Sequence, residues 1–301
     1  MSAQQKIDVI EAIRAAAAAA PPATTVDEQR AQFAAGMSLR RVGDDVVATD
    51  VVVGGVPALD VRTSAGDGDG VLLYLHGGGY VVGSPRTHLA LTSNLARAAA
   101  TRLVSLDYRL APEHPFPAAV DDARSAYDAI VAGGVPPEHV VIAGDSAGGG
   151  LALALLVSLR DAGGPIPAGA VLLSPWTDLT GTAGSLVSKA DADPMLSRDM
   201  LRLLADAYTA DDTALLASPG RADLHGLPPL LVQVGSAEVL LDDSLELAAR
   251  AAHADVDVTL EVVSGVPHVF PSQADALDEA SDAVERAGAF VRSRIGAASP
   301  V

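Results

Sequence analysis

The sequence predicts an α/β protein with a mostly parallel central sheet and helices on both faces. Two observations carry this. Short apolar runs of the strand type alternate with helix-forming stretches of ten or more residues, the rhythm of β-α-β units. The polar and glycine-rich landmarks His76–Gly79, Ser146 and Glu238 each follow one of those runs. They should therefore meet beyond the C-terminal ends of the strands, where open α/β sheets bind ligands. A length of 301 residues suits one large domain with insertions, or two modest ones.

In chain order, residues 7–20 and 27–36 read as helices, split by Pro21-Pro22, with Thr25 as the candidate N-cap. Phe33 and Met37 are their large apolar groups, and either line a pocket or fasten the segment to the body. Residues 47–64 resemble a hairpin turning at Gly54-Gly55, and Gly66–Gly70 reads as a polar turn. The strand Val71–Leu75 ends at His76-Gly77-Gly78-Gly79-Tyr80. A helix at 87–99 and a strand at Leu103–Leu106 follow. Three prolines between Pro112 and Pro117 demand an extended, rigid loop before a helix at 118–132. Pro136-Pro137 leads into the apolar strand that precedes Ser146.

The second half repeats the rhythm. A helix covers 149–161, and the strand Ala170–Leu173 ends in Ser174-Pro175-Trp176-Thr177-Asp178. Residues 180–225 break the alternation: they are rich in Asp and Ala, hold a helix at 197–208 and no core strand, and read as an insertion over the sheet. Leu230–Val234 resumes the sheet, followed by a helix at 243–253, a strand at 256–263, a helix at 275–294 and a frayed tail from Gly296.

Composition excludes several functions. Hydrophobic residues make up 49%, ample for a buried core. Without cysteine there is no disulfide, thiol chemistry or cysteine-bound metal. With 20 basic against 38 acidic residues, net −18, the surface repels nucleic-acid phosphates and anionic lipid, so neither is an expected partner. No stretch of 18 apolar residues suggests a membrane span. Ala15–Ala20 is apolar, but Glu11 and Arg14 interrupt the residues before it, so the N-terminus reads as an alanine-rich helix and a cytoplasmic location is expected.

The chemistry centres on Gly144-Asp145-Ser146-Ala147-Gly148, a G-x-S-x-G elbow in strand–turn–helix context that exposes a serine hydroxyl above the sheet. Such a hydroxyl needs a base, and the base needs an acid. Of seven histidines, His268 lies just after the last strand, where the order serine, acid, histidine puts the base. His88 and His253 fall in helices, and His139 opens a strand at the remote end. All three read as surface or packing residues. His114 and His225 precede the acid in chain order. Glu238, four residues beyond Val234, is the favoured acid, with Asp242 the alternative. Asp242 and Asp243 are sufficiently explained as helix caps. Gly77, Gly78 and Gly79 offer unobstructed amides to a developing oxyanion, joined by the Ala147 N–H. His76 reads as a tie for that loop, since no spaced ligands accompany it. The glycines match neither a phosphate-cradling nor a dinucleotide pattern, so no cofactor and no metal are expected.

Taken in order, His76-Gly77-Gly78-Gly79, Asp107-Tyr108-Arg109-Leu110-Ala111-Pro112-Glu113, Gly144–Gly149, Ser174-Pro175-Trp176-Thr177-Asp178 and Pro267-His268 resemble the bacterial hormone-sensitive-lipase-like esterases of the α/β-hydrolase superfamily, across residues 70–270. The resemblance implies an α/β-hydrolase core (46–179 and 226–301) under a helical cap (1–45 and 180–225). It implies cofactor-free hydrolysis of short- to medium-chain carboxylic esters, with Gly77, Gly78 and Ala147 as the main oxyanion donors. Asp107, Arg109, Glu113 and Asp145 would brace the polar surroundings of the site. The cap is expected to shape the substrate pocket with Phe33, Met37, Tyr80, Trp176 and Tyr208, of which Trp176 reads equally as a core anchor. A homodimer is a further expectation. Many members carry Asp-Pro-Leu-x-Asp where this chain has Glu238-Val239-Leu240-Leu241-Asp242, which registers the acid at Glu238. Lactone or amide hydrolysis on the same scaffold, and a non-catalytic binding protein, are the competing readings.

Overall fold

The computed structural model describes residues 2–66 and 68–296; the expected frayed end, 297–301, lies outside them. Two helices, α1 (Ser2–Ala19) and α2 (Val26–Met37), come first. Thr25 caps α2 in a reciprocal box with Glu28, which satisfies amides that the helix start leaves open. An antiparallel hairpin follows, β1 (Val47–Val53) and β2 (Val56–Arg62). Then come β3 (Gly68–Leu75), α3 (Leu89–Ala99), β4 (Thr101–Leu106), α4 (Ala118–Ala132), β5 (Val140–Asp145), α5 (Ala147–Asp161) and β6 (Gly169–Leu173). The insertion holds α6 (Ser185–Ser188) and α7 (Arg198–Tyr208), and no strand among its residues 180–225. The chain closes with β7 (Leu230–Gly235), α8 (Leu241–His253), β8 (Val258–Val263) and α9 (Asp278–Gly296).

The eight strands form one sheet in the order β1-β2-β4-β3-β5-β6-β7-β8. β2 pairs antiparallel with β1 and β4, and every later pairing is parallel. Alternate side chains of each strand feed opposite cores. Leu73, Leu75 and Ile142 pack under α4 and α5, while Leu72, Tyr74, Val141 and Ala143 pack against α3 and α9. β5 is central and buried along its whole length, so the residue that follows it emerges at the middle of the sheet's rim. The N-terminal segment is fastened by Val9, which packs with Val266, Phe270 and Leu277, and by Lys6 paired with Glu279 at 2.8 Å.

The structure corrects several expected boundaries. The polar turn expected at Gly66–Gly70 is partly strand: the Gly68 amide donates to Ala100 O at 3.0 Å, and Thr101 Oγ1 donates to Gly70 O at 2.9 Å, which extends β3 back along β4. The helix expected at 87–99 starts at Leu89, so His88 stands at its entry and not within it. The helix expected from 149 starts at Ala147, directly after the serine. His139 sits in a 3₁₀ turn ahead of β5 rather than opening the strand. No helix among the described residues is long and apolar enough to cross a membrane.

The crossing of α3 and α9 depends on Gly288, where an added Cβ would lie 2.4 Å from the Ala98 carbonyl carbon. Gly288→Ala should force the two helices apart at a cost of about 1–3 kcal/mol, seen as a lower midpoint in thermal unfolding.

Candidate active site

Ser146 joins β5 to α5 at φ 53° and ψ −123°, a conformation that costs energy for any side-chain-bearing residue and persists only where its surroundings enforce it. Its amide donates to Leu173 O at 2.9 Å, and its carbonyl accepts from Trp176 N at 2.9 Å and Gly150 N at 3.1 Å. The turn can be this tight because α5 presses onto the end of β3: a Cβ on Gly148 would lie 2.0 Å from Leu75 O. Ser174, Val269 and Tyr80 also have positive φ, so four of the six such non-glycine residues described surround this rim.

Glu238 and His268 meet at the ends of the strands that follow β5 in the sheet. His268 Nδ1 lies 2.6 Å from Glu238 Oε2, with Glu238 fully buried and His268 nearly so. The other oxygen, Oε1, accepts the Ser174 hydroxyl at 2.8 Å and the Gly235 amide at 2.7 Å. Ser174 Oγ in turn accepts the Val269 amide at 3.0 Å, which ties the residue after His268 to the strand end beside Ser146. Burial opposes a charged imidazole, but the charge and hydrogen bond of Glu238, with Asp193 and Asp145 adding, hold the His268 pKa above its ordinary 6.5. With Nδ1 committed to Glu238, Nε2 is the nitrogen left to exchange a proton. Sequence reasoning noted Ser174 only as part of a motif; its role needed the three-dimensional meeting of β6, β7 and the His268 loop.

The glycine loop is held from both sides of one residue. The Gly77 amide donates to Asp145 Oδ1 at 2.9 Å, and Gly77 O lies 2.8 Å from His76 Nδ1. This corrects the expectation for Gly77: its N–H is occupied by Asp145 and is not available to an oxyanion. The planar trans peptide, fixed at Gly77 O, turns the Gly78 N–H the opposite way. The amides left for an oxyanion are those of Gly78, Gly79 and Ala147. His76 is buried between Tyr108, at 4.3 Å between ring centroids, and His88, at 5.4 Å. Burial first, then the neighbouring His88, lowers its pKa to about 3, so it stays neutral and serves as the expected tie. The Tyr108 hydroxyl secures the same turn by donating to His76 O at 2.7 Å.

Other expected bracing residues lie farther out. Asp107 is exposed. Arg109 is bidentate to Asp122 of α4, and Glu113 is bidentate to Arg30 of α2, whose guanidinium also donates to Val81 O and Ala111 O. Glu113 therefore docks the N-terminal segment onto the proline-rich loop. Asp242 accepts the Ser185 amide at 2.7 Å, and Asp243 accepts those of Thr177 and Asp178 at 2.8 and 3.0 Å. This corrects the capping role expected of them: Leu240 is the N-cap of α8 and no side chain caps it, whereas Asp242 and Asp243, in its first turn, tie α8 to the insertion and to the loop after β6. Burial pushes the Asp243 pKa up to about 7. Asp193, which sequence reasoning missed, reaches from the insertion to the Val239 amide at 2.8 Å, one residue from Glu238.

Of the expected pocket residues, Tyr80, Trp176 and Tyr208 are buried in an aromatic cluster. Tyr80 stacks on Tyr208 at 3.7 Å and 6°, and Phe116 meets Tyr208 edge-on. Phe33 and Met37 are half-buried, Phe33 with its ring 5.9 Å from His88. Trp176 also borders a cavity of about 180 Å³ with Leu179, Leu186, Leu201 and Leu240; neither Ser146 nor His268 lines it. Among the described residues no group of three or more His, Asp or Glu could hold a metal ion.

Residues 72–272 match the family described as alpha/beta hydrolase fold. An acetyl-hydrolase of Streptomyces hygroscopicus is 47% identical over 82% of this chain and 83% of its own length. An esterase of Acinetobacter venetianus is 38% identical over 74% and 75%. A crystal structure of an esterase from the bacterial hormone-sensitive lipase family superposes with a TM-score of 0.94 at 45% identity, covering 97% of this chain and 99% of that one. The match spans the elbow, the glycine loop and the loops that carry Glu238 and His268, and by it this chain belongs to the bacterial hormone-sensitive-lipase-like esterases of the α/β-hydrolase superfamily.

Proposed function

We propose that this esterase hydrolyses short- to medium-chain acyl esters, with Ser146 as nucleophile, His268 as general base and acid, and Glu238 as the residue that orients it. The observation that carries the reading is the 2.6 Å bond between His268 Nδ1 and a fully buried Glu238, whose other oxygen holds Ser174 at the end of the strand that also accepts the Ser146 amide. Glu238 fixes the tautomer and offsets the charge that His268 gains when it takes the Ser146 proton. Ser146 Oγ adds to the ester carbonyl, and the resulting oxyanion faces the amides of Gly78, Gly79 and Ala147. His268 returns the proton to the alkoxide leaving group, which departs as the alcohol. Water then repeats the sequence on the acyl-enzyme: His268 takes its proton, hydroxide adds, and Ser146 leaves with that proton as the carboxylic acid is released.

A 47% identical relative named an acetyl-hydrolase supports the short-acyl end of the range. Residues 1–45 and 180–225 act as the cap in this proposal: α2 touches the site through Phe33 on His88, and α7 through Tyr208 on Tyr80. On p-nitrophenyl esters the acetate and butyrate should turn over faster than the dodecanoate, and anilides slower than either; an anilide hydrolysed as efficiently would overturn the esterase reading. Glu238→Ala should lower kcat by about 10²–10⁴-fold, whereas Asp242→Ala should act mainly on stability. Loss of activity in the Asp242 variant alone would reverse the assignment.

The raised His268 pKa sets two opposite pH trends. Activity needs the neutral imidazole, so the acid limb of kcat/KM should lie above pH 6.5 and move down in Glu238→Gln. The folded state binds the His268 proton more tightly than the unfolded state. The pair's contribution to stability is therefore full below pH 6.5 and fades as pH rises through the folded value. Ser174→Ala, which removes one bond to Glu238 and one to Val269, should cost about tenfold in kcat with KM little changed, measured on the butyrate ester.

A further inference from the structure

A second carboxylate is buried beside the nucleophile, and the catalytic cycle does not use it. Asp145 Oδ1 accepts the Tyr74 hydroxyl at 2.5 Å and the Gly77 amide at 2.9 Å. Its Oδ2 lies 3.4 Å from His88 Nε2, and both side chains are almost fully buried. Among the described residues His88 is the one basic side chain paired with Asp145. Burial works against the Asp145 charge; His88, Tyr74 and Gly77 outweigh it and hold the carboxyl below its usual range.

His88 is itself fixed. Its Nδ1 lies 2.9 Å from Thr87 Oγ1 and 3.3 Å from Ser84 O. An ionised Asp145 oxygen can only accept, so the Nε2 that faces it carries a proton; the Thr87 hydroxyl, which donates to Ser84 O at 2.8 Å, and Ser84 O itself are the groups that meet Nδ1. The His88 ring lies between His76 and Phe33, at 5.4 and 5.9 Å. Contacts therefore run without a gap from the entry of α3 to His88, to Asp145, to the Gly77 amide, and across one peptide to the Gly78 N–H.

We propose that His88 is a positioning residue for the oxyanion hole: its Nε2–H holds Asp145, and Asp145 holds the Gly77 peptide so that the Gly78 and Gly79 amides already face the developing charge. The proposal rests on the esterase reading above. A donor fixed before the reaction needs no reorganisation during it, so the effect belongs to the transition state and not to substrate binding.

The test compares His88→Asn with His88→Gln. The Asn amide can reach Thr87 but not Asp145, while the longer Gln amide can supply the Nε2 donor. Wild type and variants are assayed for kcat and KM on p-nitrophenyl acetate, and for inhibition by a trifluoromethyl ketone, to which Ser146 Oγ adds to leave a hemiketal oxyanion. His88→Asn should lose about 10- to 100-fold in kcat and in ketone affinity, with KM within about twofold; His88→Gln should stay near wild type. If the Asn variant does not fold, His88→Phe, which keeps the ring's volume and stacking and removes its nitrogens, takes its place under the same expectations. Wild-type kcat and ketone affinity in the variant lacking the donor, or an equal loss in His88→Gln, overturns the proposal. Wild-type protein that fails to turn over the ester, or to be labelled at Ser146 by a phosphonate, sinks the esterase reading instead.

Discussion

A carboxylate sealed from water must have its lone pairs filled by protein donors, or it will not stay charged. The site depends on that requirement at Glu238. Its two oxygens collect His268 Nδ1, the Ser174 hydroxyl and the Gly235 amide. Those donors come from the ends of β6 and β7 and from the loop before α9, so satisfying one charge draws three separate chain segments into register. Removing any one donor leaves a buried oxygen short of a partner beside the imidazole ring.

Asp145, the residue before Ser146, follows the same logic. It gathers Tyr74 from inside the sheet, Gly77 from the oxyanion loop and His88 from the entry of α3. Two buried carboxylates thus serve the loops around Ser146, one bonded to His268 and the other to the Gly77 amide. The insertion is held by the same kind of bond: Asp193, Asp242 and Asp243 each accept backbone amides between residues 177–196 and the start of α8. At these positions the acidic residues are structural.

The alternation of apolar runs with helices gave the architecture because a parallel sheet buried on both faces leaves that pattern along the chain. The elbow was legible for a local reason: strand, turn and helix are contiguous, and Gly148 marks the close approach. Glu238 could be preferred to Asp242 from its distance beyond β7, and Glu238 is the one that hydrogen-bonds His268. What could not be read was long-range. Nothing in the spacing of His88 tells that its Nε2 turns inward to Asp145, 57 residues on, rather than outward from a helix. Gly77 looked like an oxyanion donor because a glycine-rich run shows which amides are unobstructed, not which are already bonded. The pocket was the least legible part, since buried aromatics such as Tyr208 serve core and cleft in the same vocabulary of large apolar side chains.

The buried anions around Ser146 also bear on how a turnover ends. Glu238, Asp145 and Asp193 all lie near His268, in a molecule of net charge −18. An ester enters as a neutral molecule, but the acid it yields is ionised at neutral pH. The carboxylate so formed is an anion within a molecule whose summed charge is strongly negative. That field opposes rebinding of an acid product, and an anionic ester would meet it on the way in.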